Sequence, residues 1–260
     1  MRYREFAVAG VLVLAGIMLW SSTASAARIS DVRNTKHNFS QGVPPQSGTD
    51  GASRTVRATS EDEICVFCHT PHGANADTVA RGPLWNREFT TSTYTRYSSS
   101  SIDSTIQDPN GVSKLCLSCH DGTIAIGSVR NVRTQRTTIS MTGTGAGGTM
   151  PAGAGVNTGF TRNLGRDLTN DHPISLTYNS ALVNADTEMR SPTQDPIRVR
   201  GMNPRPGIQN IHLQPVNMSN PTTNTGQVQC ISCHDPHIRD TTQSNIKFLR
   251  FNRLQTVRPD

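Results

Sequence analysis

The stretch Cys65-Val66-Phe67-Cys68-His69-Thr70-Pro71-His72 carries two cysteines three residues apart, with a histidine directly after the second. The same spacing returns at Cys116-Leu117-Ser118-Cys119-His120 and at Cys230-Ile231-Ser232-Cys233-His234, and the three copies consume all six cysteines of the chain. On a helical turn, residues i, i+3 and i+4 project from one face. Two thiols can therefore bond along one edge of a flat cofactor while the imidazole reaches its centre from the same side. CxxCH is the attachment pattern of c-type haem, and three copies predict three haem c groups. Zinc is a poor alternative, because each set would lack a fourth ligand. A disulfide framework needs cysteines spread widely enough to close long loops, and these are clustered.

Working outward, the rest of the chain is short of core-forming side chains. Only 34% of the 260 residues are hydrophobic and 5% aromatic, too few to offset conformational entropy by ordinary burial. Three large, mostly apolar haems supply the missing core. The expected fold class is mostly irregular with short α-helices and little β, a haem-cored multihaem cytochrome c. Glu61-Asp62-Glu63 before the first motif suits a helix N-terminus. Leu84-Trp85-Asn86-Arg87 reads as an apolar contact between polar stretches, and Asp121 to Gly127 as an extension or cap of the second motif's helix. The Gly/Thr-rich tract Thr142 to Gly159 predicts a flexible loop. Pro192, Pro196, Pro204, Pro206, Pro215 and Pro221 exclude long helices, and Ile246 to Phe251 alternates as a short strand does.

Arg2 and Arg4 precede an apolar run from Ala7 to Trp20, and Ala24-Ser25-Ala26 offers a cleavage site. This predicts a signal peptide over 1–26, with 27–260 forming one triheme unit exported to the periplasm or the cell exterior. The apolar run falls short of the roughly 20 residues a spanning helix needs, so no stable membrane span is expected after cleavage. The formal charge of +6 does not point to nucleic acid, because the arginines are scattered rather than gathered in a stripe. Pairing with haem propionates suits their planar guanidinium groups better.

With His69, His120 and His234 assigned as proximal ligands, five of the eight histidines remain for three sixth positions. His72 and His237 each follow a proximal histidine by three residues, behind Pro71 and Pro236. Neither can reach the far face of its own haem, so each is a candidate for a neighbouring one. His172 has Asp171 beside it to orient its ring and is expected to serve the haem of the second motif. His37 is a comparable candidate, and His212 a weaker one. Methionine ligation is disfavoured by the histidine surplus.

These motifs resemble the multihaem cytochromes with a doubled CXXCH motif. The resemblance runs through KHNFS at 36–40, CVFCHTPHG at 65–73, PLWNR at 83–87, CLSCHDGTIAIG at 116–127, DHPISLTY at 171–178 and CISCHDPH at 230–237. It implies bis-histidine iron, a fold dominated by haem packing, and electron transfer outside the cytoplasm with redox partner proteins. Some similar cytochromes carry four or more haems and polymerise into extracellular filaments, with an N-terminal histidine ligating a haem in the adjacent subunit. By that resemblance His37 is the residue placed for self-association. The present chain has three motifs, and no cysteine occurs between Asp121 and Gln229. An electron carrier without catalytic residues is the leading expectation. A multihaem oxyanion reductase is the alternative, and it would need an iron with an open face.

Overall fold

A computed structural model describes residues 32–33, 35–42, 55–76, 84–132, 137–152, 163–192, 198–199, 211–215, 225–237 and 248. The signal-peptide segment 1–26 lies outside them, and so does the expected strand at Ile246 to Phe251 apart from Phe248. Among the described residues, no helix is long and apolar enough to cross a membrane.

Regular elements are short. In chain order they are β1 (Arg57–Ala58), a 3₁₀ turn (Cys65–Phe67), α1 (Ser113–His120), β2 (Met141–Thr142), a second 3₁₀ turn (Ala146–Gly148), β3 (Leu176–Asn179), α2 (Ser180–Ala185), β4 (Arg198–Val199), β5 (Ile211–His212), β6 (Gln214–Pro215), β7 (Thr225–Val228) and α3 (Cys230–Cys233). β1 pairs antiparallel with β2, and β4 with β5. The larger sheet has β7 at its centre, flanked antiparallel by β3 and β6.

Apolar side chains gather in two small clusters, as the composition dictates. One joins Phe39, Val56, Phe67, Ile126, Val129, Val132, Ile139 and Met150, with Cys68 and Cys119 against it. The other is Tyr178, Leu182 and Leu213. Several of the most deeply buried side chains are polar: Arg87, Gln227, Gln229, Asn38 and Asn86. Buried polar groups must be hydrogen-bonded, and here they form the ties between motifs.

Three local expectations need correction. The acidic run does not cap the first motif's turn; Glu61 is buried and accepts the Glu63 N–H at 2.8 Å. The motif itself forms a single 3₁₀ turn, closed by Cys68 N–H to Cys65 O at 3.1 Å, with His69 N–H also donating to Cys65 O at 2.8 Å. Leu84 is exposed at 55%, whereas Trp85, Asn86 and Arg87 are buried, so that stretch is a largely polar tie. The described part of the Gly/Thr-rich tract, 142–152, is a packed turn: Gly148 O accepts the Ile126 N–H at 2.9 Å and Met150 enters the core. Its glycines supply left-handed φ for a tight turn.

Candidate haem-binding site

Each motif is held by a different local device. In the first, Asn86 N–H donates to Cys68 O, and the Asn86 side-chain amide bridges Val66 O and Asn131 O at 2.6 and 2.7 Å. In the second, α1 ends directly after His120. Asp121 closes the last turn and Gly122 adopts φ 71°, the left-handed C-terminal position that glycine favours. A Cβ on Gly122 would meet the Asn163 side chain at 2.5 Å, so this residue both ends the helix and admits a close neighbour. In the third, Gln229 N–H donates to Ser232 Oγ at 3.0 Å to start α3.

The second and third motifs are tied directly. Ser113 Oγ, at the start of α1, accepts the Cys230 N–H at 3.1 Å and donates to the Gln229 side chain, which also reaches Asn110 Oδ1 and Gln227 Oε1. Cys116 and Cys230 share a hydrogen bond, which with burial holds the Cys116 thiol well above its usual pKa. Burial, aided by Cys119 and Cys65 and opposed by Arg87, pushes the Cys68 thiol up to about 12. None of the six cysteines is joined to another in a disulfide, and the three motifs meet around Cys68, Cys119, Cys116 and Cys230.

The histidines form three facing pairs, each joining one motif to a distant segment. His37 and His120 have ring centroids 6.2 Å apart, His69 and His237 6.2 Å, and His172 and His234 6.1 Å. The last two pairs lie within 20° and 15° of parallel. Such separations are too long for stacking contact. An imidazole nitrogen sits about 2 Å from a metal it ligates, so two rings across a single iron have centroids about 6.3 Å apart. The residues therefore fit the axial positions of three haems. Among the described residues, no three or more His, Cys, Asp or Glu side chains converge on one point as a cage for a bare ion would; the donors come as opposed pairs.

His37 is placed by the buried turn around it. Asn38 donates to Arg33 O and accepts from Ser40 N–H and Oγ, and Thr35 Oγ1 accepts the His37 N–H at 3.2 Å. Its Nδ1 is buried without a hydrogen-bond partner among the described residues. Burial, with His120 and His237 nearby, lowers its pKa to about 3, so the ring is neutral at ordinary pH and keeps the lone pair a metal needs.

The expected assignment of His172 to the second motif is corrected to the third. β3 pairs with β7 in the register Leu176↔Val228, and Ser175 N–H continues it onto Val228 O at 2.8 Å. Following the two strands past the sheet brings residue 172 alongside α3, hence alongside His234. His237 faces His69 of the first motif. Its counterpart in the repeat, His72, is exposed and makes no ring contact among the described residues. The difference lies two residues earlier. Asp235 Oδ1 accepts both the backbone N–H and ring Nδ1 of His237, at 3.0 and 2.9 Å, whereas Thr70 Oγ1 donates to His72 O at 2.8 Å. On His237 the carboxylate that orients the ring is thus Asp235. His212 is exposed on β5.

Comparison of the chain with protein-family models and with curated proteins finds no match, so its own residues carry the functional reading.

Proposed function

We propose that the chain is a triheme c-type cytochrome that carries electrons in the periplasm or outside the cell and transforms no substrate. The observation that carries this is the set of three histidine pairs, one per CxxCH motif, each at the spacing of two axial ligands. Cys65 and Cys68 with His69 and His237 would hold the first haem, Cys116 and Cys119 with His120 and His37 the second, and Cys230 and Cys233 with His234 and His172 the third. Bound there, haem supplies reversible one-electron exchange at iron. The chain's own part is to fill both axial positions, fix the rings, and draw the three attachment edges together.

A reductase needs one iron open to substrate, and a partnered histidine on every motif favours the carrier. The filament reading asks His37 to serve an adjacent subunit; its pairing with His120 of its own chain gives it an internal role instead. Mass spectrometry of the purified protein is expected to show three covalent haems, and optical spectra fully low-spin iron with no carbon monoxide binding after reduction. A haem-free mass with titratable thiols would sink the proposal.

A second expected result concerns Asp235. Its carboxylate on His237 Nδ1 makes that ring a stronger donor and so favours ferric iron. Asp235→Asn weakens this and should raise one of the three midpoint potentials, by about 60 mV for a tenfold change in the ferric preference. Spectroelectrochemical titration resolving the three haems checks it, and an unchanged set of potentials counts against the role.

A further inference from the structure

Trp85, like His37, buries a polar side-chain atom that no described residue answers. It is 8% exposed, and its Nε1 is buried with no hydrogen-bond partner among the described residues. An indole N–H can only donate, and leaving it unpaired in the interior is costly. Its backbone is pinned on both sides of the first motif. Trp85 bridges to His69, Trp85 O accepts the Asn75 N–H at 2.7 Å, and the flanking Leu84 and Asn86 bond to Thr70 and Cys68. The indole ring stands edge-on to His69, with centroids 6.1 Å apart and planes at 84°. A donor therefore sits fixed and unused beside the proximal ligand of the first motif.

We infer that Trp85 donates its indole N–H to a propionate carboxylate of the haem held between His69 and His237, and thereby sets that haem's potential and its dependence on pH. The inference rests on the haem reading above. The propionates carry the strong oxygen acceptors of a haem, and a charged acceptor is the partner that best offsets burying a donor. A donor on a carboxylate favours its ionised form and draws its negative charge away from the iron. Trp85 is thus a positioning residue, acting through the carboxylate rather than on the iron itself.

The test uses the full holoprotein. The chain has two tryptophans, Trp20 and Trp85, and Trp20 falls in the predicted leader. Exported holoprotein from which residues 1–26 have been removed by leader cleavage therefore reports on Trp85 alone in ultraviolet resonance Raman. The hydrogen-bond-sensitive indole band is expected at the position of a bonded N–H, and it should shift when the propionates are protonated by acid. Trp85→Phe keeps an aromatic ring and removes the donor. It should move one of the three midpoint potentials downward, and raise the pH at which that potential begins to bend, while the other two haems and the low-spin spectrum stay unchanged. A non-bonded indole band overturns the inference. So does a bonded band with all three potentials unmoved in Trp85→Phe, since the partner would then be water. Haem counted by mass on the same samples separates these outcomes from failure of the haem reading itself: fewer than three haems in the parent protein removes the acceptor and sinks both.

Discussion

In the proposed triheme protein, His37→Ala is expected to convert one haem from low-spin to high-spin and to let the reduced protein bind one equivalent of carbon monoxide. The imidazole it removes faces His120 at 6.2 Å. Its turn is locked by the buried Thr35, Asn38 and Ser40, so no neighbouring residue slides into its place without breaking those bonds. Phe248 lies against the His37 ring at 4.5 Å and Phe39 at 6.3 Å, and neither offers a ligand. His237→Ala and His172→Ala should each open one different haem, and His37→Ala combined with His237→Ala should open two. His72→Ala and His212→Ala should leave every iron six-coordinate. A fully low-spin His37→Ala protein, or a high-spin His72→Ala protein, would show that the histidines are paired differently.

That set of variants could not have been ordered from the sequence. The three CxxCH motifs and the surplus of histidines are local patterns, and both are visible in a linear reading. Which histidine meets which motif depends on contacts between segments far apart in the chain. His172 is delivered by the register of β3 on β7, and four-residue strands separated by a proline-rich interval leave no usable signature in the sequence. His72 and His237 look alike as CHTPH and CHDPH, yet one letter separates a ring held by a carboxylate from a surface ring. That Thr-for-Asp difference was legible, and its meaning follows from the orienting role of carboxylates on ligand histidines. The buried polar ties were harder to foresee, since Asn86, Arg87, Gln227 and Gln229 are types usually found at the surface. A chain poor in apolar residues nevertheless has to join its motifs by some internal contact, and a hydrogen-bonded amide or guanidinium does so where no leucine is available.

Arg87 is the strongest of those ties. It is 1% exposed and donates to Ser118 Oγ and O at 3.2 Å, to Ala125 O at 2.9 Å and to Ile126 O at 2.5 Å. None of the ion pairs among the described residues includes it. A carboxylate is thus not what holds it; carbonyls around the second motif are, reached from a segment anchored on the first. Arg87→Met fills similar space but leaves those carbonyls unpaired in the interior, and should cost about 3 kcal/mol in denaturant unfolding of the holoprotein. Arg87→Lys restores the charge without the planar fork and should recover only part of that loss. The two variants separate a second effect. The guanidinium lies close enough to Cys68 to pull its thiol pKa down against burial, and a buried positive charge beside an attachment edge favours the reduced iron. Midpoint potentials of the haems proposed on the first two motifs should therefore fall in Arg87→Met and be largely retained in Arg87→Lys. Equal potentials in both variants, with stability lost, would make Arg87 a structural tie with no hand in the redox chemistry.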